Sequence, residues 1–255
     1  MFRPQLSFER TPATLIIMAT VVGLELICTF KGSTTRGYYY DVWLGLTPDV
    51  WNWQLWRPFT TTLLHGPGIF HALFNLYWLS LFGAALEDWW SPLKYTLGIV
   101  FVATASNMLQ FVLPEVGEPW GSVGIGGAVG LSGVMYGMLG FLMVARHKYT
   151  DLYTVCPPQT SRFLVVWAIA CVPLTYFKIF HVANIAHFSG LGLGMMMAQA
   201  LYARKARTLW RVGLAAALLI TLVLMFYAPW APGYQLNQDS NWWPQVLRAR
   251  YPDAL

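Results

Sequence analysis

The chain has 255 residues, 56% of them hydrophobic and only 11% charged, with a mean hydropathy of +0.48 and a formal net charge of +5. A soluble globular domain carries about 25% charged residues, so this composition excludes a water-soluble fold and puts the chain in a bilayer. No basic stripe with interleaved aromatics occurs on a polar segment, so the positive balance implies no nucleic-acid partner.

A hydrocarbon core takes about 20 apolar residues per helix. Seven runs meet or approach that length, near residues 12–30, 69–88, 92–113, 130–146, 162–180, 182–203 and 209–229. The tail at 1–11 carries Arg3 and Arg10. The first run is long for a signal peptide, contains Glu25 and precedes no small-x-small cleavage site, so it reads as a mature helix. The connection at 31–69 holds Tyr38, Tyr39, Tyr40, Trp43, Trp51, Trp53 and Trp56. It reads equally as a loop lying partly in the headgroup zone or as a girdle anchoring helix ends. The connection Pro114 to Val129 is uncharged from Pro119 and contains Gly121, Gly124, Gly126 and Gly127. Unpaired backbone at that depth needs protein or water to satisfy it, which predicts a wet pocket just before Ser132. A basic link and the seventh run occupy 204–229, and a polar tail with Trp242-Trp243-Pro244 occupies 230–255.

Lys and Arg are retained on the cytoplasmic side. A cytoplasmic N-terminus leaves ten of the 16 basic residues inside, which favours that orientation and an external C-terminus. The plasma (cell inner) membrane is the expected location. Cys28, Cys156 and Cys171 are scattered without a disulfide framework or metal-ligand spacing, and read as packing residues.

With that topology the second, fourth and sixth helices all start at the outer face, each with polar residues in its first turns. His71 and Asn75 open the second, Ser132 the fourth, and Asn184 and His187 the sixth. At a rise of about 1.5 Å per residue they share a depth of roughly 5–10 Å. Uncharged polar groups there are costly unless paired, so their clustering points to a site. Ser132 and His187 can act as nucleophile and base. Gly133, Gly137 and Gly140, with Gly190 and Gly194, recur at the spacing that lets helices approach closely. Among Asp and Glu only Glu25 lies in the outer half of a helix, and nothing places it beside His187, so the pair reads as a dyad. Tyr136, one turn after Ser132, is placed to pack on the imidazole. The Ser132 N–H, Asn75 and His71 are the candidate oxyanion donors.

Each residue also has a plainer reading. A serine in a membrane helix commonly bonds a backbone carbonyl, and GxxxG spacing commonly means packing alone. His65, His147 and His181 read as solvated or capping residues, and Glu25 and Glu87 as interhelical hydrogen-bonding groups. The functional reading rests on three helices, one depth and complementary roles.

These residues resemble the rhomboid family of intramembrane serine proteases. The resemblance runs over about 150 residues and is carried by Trp56-Arg57, His71-x-x-x-Asn75, Gly130-x-Ser132-Gly133-x-x-Tyr136-Gly137 and Ala186-His187-x-x-Gly190-x-x-x-Gly194. It implies an all-α polytopic fold, a six-helix protease core at 12–203 with a seventh helix appended, and a water-filled cavity opening outward. It implies Ser132 as nucleophile, His187 as general base and acid, an oxyanion hole from Ser132 N–H, His71 and Asn75, and Tyr136 stacked on His187. Trp56 and Arg57 would hold the first loop. The resemblance further implies cleavage of transmembrane protein segments without metal, nucleotide or other cofactor, and a gate at the fifth helix with Pro173 and the link Lys178–His181. One departure is the link Gly66-Pro67-Gly68-Ile69-Phe70, which shapes the entry to the second helix. Two other functions compete: a catalytically silent relative that binds transmembrane helices, and a small transporter using Glu25 and the histidines as a proton path. A silent relative lacks the nucleophile or the base, both present here, and the transporter predicts inverted repeats, which the sequence lacks. A specialised enzyme that trims C-terminal sorting tails is compatible with the same chemistry.

Overall fold

The structure, a computed structural model, describes residues 6–31, 37, 39–66, 69–113, 129–231, 234 and 245. Tyr38, Pro67, Gly68, the glycines of 121–127 with the pocket expected there, and Trp242-Trp243-Pro244 lie outside the described residues.

The described long helices are α1 (Pro12–Lys31), α2 (Ile69–Trp90), α3 (Pro92–Val112), α4 (Ser132–Ala145), α5 (Pro158–Tyr176), α6 (Asn184–Tyr202) and α7 (Arg207–Phe226). α2 widens to a π-helix over Leu79–Gly83. Pro92 and Pro158 each stand at a first helical position, where the missing N–H costs nothing, and the Ser91 side chain accepts from the Lys94 N–H. α1 begins against α2: the Glu87 carboxylate accepts the Ala13 N–H at 2.8 Å and the Thr14 N–H at 2.7 Å. A carboxylate on open amides at a helix N-terminus is favoured by hydrogen bonding and dipole together. Glu87 is therefore an interhelical cap, contributed from another helix.

Among the described residues four helices are long and apolar enough to cross a membrane: α1 over Pro12–Phe30, α2, α3 and α7. α5 and α6 reach 19 residues each with more polar sequences, α5 opening on Gln159, Thr160, Ser161 and Arg162, and α6 carrying His187 and three glycines. α5 starts four residues earlier than the apolar run suggested, because the Pro157-Pro158 pair sets its first turn. α4 starts two residues later, because Gly130 has φ +113°, outside the helical region.

α4 is the axis of the bundle. Eleven of its 14 residues are buried, so protein surrounds it on every side. At 14 residues it is about 21 Å long, roughly 9 Å short of a 30 Å hydrocarbon core, and one end must lie below a membrane surface. α6 runs against it along a glycine seam. A Cβ on Gly190 would meet the Gly133 carbonyl, one on Gly194 the Gly137 carbonyl, and one on Gly140 the Leu191 carbonyl. Only backbones fit there. α3 closes another side of α4 with Val102 and Ser106 against Gly137 and Gly133. α1 and α7 lie at the periphery and expose Ile16, Leu26, Phe30, Leu209, Leu219 and Ile220, a surface suited to lipid.

The connection between α1 and α2 is a folded unit, with a 3-10 turn at Pro48–Asn52, a helical turn at Arg57–Thr60 and a second 3-10 turn at Thr61–Leu63. The buried Arg57 guanidinium donates to Gly45 O at 2.6 Å, Val42 O at 2.7 Å, Gln54 Oε1 at 2.8 Å and Asp49 Oδ2 at 3.3 Å. Trp56 Nε1 donates to Trp43 O at 3.1 Å. Asn107 of α3 donates to Pro58 O at 2.8 Å and fixes the unit to the bundle.

Candidate functional site

The site is built where α2, α4 and α6 begin, all at one end of the bundle. Gly130 turns the chain into α4 in a conformation that L side chains rarely adopt, and its N–H donates to Thr61 O at 3.3 Å. Ser132 follows as the first residue of α4, so its own N–H has no partner within the helix. On α6 the first turn is completed from α3, where Gln110 Oε1 accepts the Ala186 N–H at 3.0 Å.

These two helix starts bring His187 Nε2 to 2.8 Å from Ser132 Oγ. With the ring neutral and its proton on Nδ1, Nε2 accepts the serine proton. His187 is 6% exposed, and its buried Nδ1 has no hydrogen-bond partner among the described residues. The imidazole is instead held by packing. The Tyr136 ring lies with its centroid 4.6 Å away, tilted by 36°, and Tyr136 Oη in turn donates to Leu164 O of α5 at 3.0 Å.

α2 brings two more polar groups. His71 Nδ1 accepts the Gly66 N–H at 3.2 Å, which leaves the proton of the neutral ring on Nε2. That nitrogen faces the turn before Ser132: a Cβ on Gly130 would lie 2.9 Å from it. Asn75 is buried one turn further on, and its Nδ2 donates to His71 O at 3.0 Å, leaving a second N–H. The arrangement can transfer a proton from hydroxyl to imidazole and present N–H donors to a nascent oxyanion.

Other residues of the sequence reading fall elsewhere. Asn184 does not join the group around Ser132; its Nδ2 donates to Thr175 Oγ1 at 2.8 Å and Val182 O at 3.1 Å, fastening the α5–α6 turn. His65, expected to be solvated or capping, is fully buried with its ring edge-on to His71 at 5.0 Å, because the loop end folds under the start of α2. His147 and His181 are exposed, and His147 Nδ1 lies 3.1 Å from Tyr153 Oη. Trp56 and Arg57 touch neither Ser132 nor His187 and act on the loop that reaches Gly130 through Thr61. Gln110 and Leu164 were missed; Gln110 stands out only as a polar residue near the end of an apolar run.

Among the described residues no group of three or more His, Cys, Asp or Glu side chains could hold a metal ion. All three cysteines are buried. Cys156, in the loop after α4 and away from Ser132, has its thiol pushed up to about 11 by burial, with Arg146 pulling the other way, so it is no thiolate nucleophile.

Arg57 provides a test of the loop. Arg57→Ala removes the donor from the Gly45 and Val42 carbonyls, Gln54 and the partly exposed Asp49, and breaking a largely buried pair this way costs up to about 3–5 kcal/mol. The expected result is a lowered thermal midpoint in detergent, with Arg57→Lys falling between the alanine variant and wild type because one ammonium cannot serve all four acceptors.

The Rhomboid domain family matches residues 52–204. Similar curated proteins are named Rhomboid protease GlpG. The one from Serratia proteamaculans is 31% identical over 195 residues, covering 73% of this chain and 62% of the relative. That from Pectobacterium atrosepticum is 29% identical over 196 residues, with the same coverage, and that from Photorhabdus laumondii is 29% identical over 197 residues, covering 76% and 62%. The chain thus spans about 62% of the length of these relatives. The matched region holds the Arg57 turn, α2 to α6 and the contact between Ser132 and His187, more than half of the sequence, and this multi-pass integral membrane protein, six helices with a seventh appended, belongs to the rhomboid family.

Proposed function

We propose that the protein is an intramembrane serine endopeptidase that cleaves transmembrane segments of other membrane proteins through an acyl-enzyme. Ser132 Oγ attacks the scissile carbonyl while His187 Nε2 takes its proton. The oxyanion forms against the Ser132 N–H, His71 Nε2–H and the second Asn75 N–H. His187 then protonates the leaving amine, and as base again it activates the water that hydrolyses the ester. The observation that carries this reading is the 2.8 Å contact between hydroxyl and imidazole from two helices locked by a glycine seam. A continuous substrate helix hides its carbonyls in hydrogen bonds, so the substrate must unwind locally, which helix-destabilising Gly or Pro favours.

In this reading residues 12–203 form the protease core, the N-terminus is cytoplasmic and the site opens to the outer face of the plasma membrane, as the distribution of Lys and Arg favours. α5, with Pro173 inside it and the link Lys178–His181 after it, is the gate for substrate entry.

The test is covalent labelling of purified protein by a fluorophosphonate, alongside cleavage of a transmembrane substrate containing a Gly-Pro step. Wild type should be labelled once per chain at Ser132 and should cut the substrate; Ser132→Ala should do neither. Equal labelling of the two proteins would remove Ser132 from the mechanism.

A further inference from the structure

α7 lies outside the match to the family, yet its last turn is built into the connection between α1 and α2. Leu224 stands two residues before the end of α7, where carbonyls have no intrahelical partner. Its carbonyl accepts from Trp51 Nε1 at 3.0 Å. The Trp51 ring stacks on Phe111 of α3 at 5.3 Å and meets Tyr234 edge-on at 5.2 Å, and Trp53 meets Phe226 edge-on at 5.6 Å. Beneath them Leu46 and Val50 of the loop are buried together with Leu224 and Met225. This second core contains both sides of the contact, so loop and α7 position one another.

The same loop reaches the site by a short route. Asp49, in the turn that carries Trp51, pairs with Arg57 at 3.3 Å. The Arg57 turn runs directly into Thr61, whose carbonyl accepts the Gly130 N–H. Gly130 sits at φ +113° two residues before Ser132, and this hydrogen bond ties the loop to that turn.

We infer that α7 is a brace: by gripping Trp51 it holds the first loop in the register that sets the Gly130 turn and hence the N–H and Oγ of Ser132. Trp51 is accordingly a positioning residue for the reaction. Its catalytic consequence rests on the protease reading, whereas the mechanical coupling does not.

The experiment has two arms, both on the full-length chain. Trp51→Phe keeps an aromatic ring in the packing and deletes only the N–H donor; Trp51→Ala deletes both. In the first arm, fluorophosphonate inactivation is measured on folded protein quantified by size-exclusion chromatography, separating the maximal rate constant from the half-saturating concentration. Loss of one net hydrogen bond corresponds to roughly 5-fold, so Trp51→Phe should lower the maximal rate constant by that factor and Trp51→Ala by more, with half-saturation unchanged. A purely structural role would lower the amount of folded protein and leave the rate constant of the remainder unaltered, which overturns the inference. The second arm, hydrogen exchange at residues 129–132, needs no activity: exchange should quicken in Trp51→Ala, and unchanged exchange there overturns the brace. Wild type that takes no label would sink the protease reading while the exchange arm still decides the coupling.

Discussion

Replacing His187 by alanine is expected to lower turnover of a transmembrane substrate by about 10⁴- to 10⁶-fold per folded molecule, the scale on which serine hydrolases lose activity without their base. Ser132 Oγ is 2.8 Å from Nε2, whereas on α2 the basic nitrogen of His71, Nδ1, is already occupied by the Gly66 N–H and the Asn75 amide cannot take a full proton. His187→Gln should be as inactive, since an amide can accept a hydrogen bond but not a full proton. Ser132→Ala with His187→Ala should be no slower than either alone, because two members of one proton-transfer unit cannot each lose its contribution separately. The measurement is substrate cleavage normalised to monodisperse protein. A His187→Ala enzyme within 10-fold of wild type would sink the dyad.

Gly194→Ala is expected to cost both stability and activity, although it adds only a methyl group. Its Cβ would fall on the Gly137 carbonyl, and a backbone atom inside a helix cannot turn aside. α4 and α6 would have to part by roughly an ångström or more to restore normal contact distance. Overpacking of this kind costs about 1–3 kcal/mol and sometimes more. The seam also sets the distance between Ser132 and His187, so parting the helices stretches their hydrogen bond toward the limit of about 3.5 Å, and misplacement by 1 Å can cost roughly 10²-fold in rate. Gly192→Ala is the matched control: nothing lies within 4 Å of its added Cβ, and a mid-helix Gly to Ala change there should be neutral or stabilising by up to about 1 kcal/mol. Thermal midpoints and cleavage rates of the two variants check both statements. Gly194→Ala with the midpoint and rate of wild type would show that the seam is not a contact in the membrane.

The contrast between those two glycines also marks what could be read in the sequence. Spacing of three, four and seven residues puts Gly190 and Gly194 on the face of His187, and topology puts Ser132 at the same depth, so the convergence of α4 and α6 was legible from local periodicity. Contacts that join distant stretches were not. Gln110 caps α6 across 76 residues, and Trp51 reaches Leu224 across 173. Neither has a local pattern. His65 misled because a histidine beside Gly66 and Pro67 looks like a boundary residue, while its burial depends on the ring of His71 folding over it. Asn184 differs for another reason: it lies one turn before His187 at the start of α6, but Thr175 and Val182 at the preceding turn use its amide.

The Glu87 cap bears on how the chain is assembled during synthesis. The carboxylate lies 73 and 74 residues after the amides of Thr14 and Ala13. At about 5–20 residues per second, roughly 4–15 s pass between emergence of the first helix and emergence of the group that completes its start. Over that interval the amide donors of Ala13 and Thr14 are without the carboxylate that accepts them in the fold. This cap therefore cannot close before the end of α2 has been made, and α1 is fastened as one half of a helical pair rather than alone.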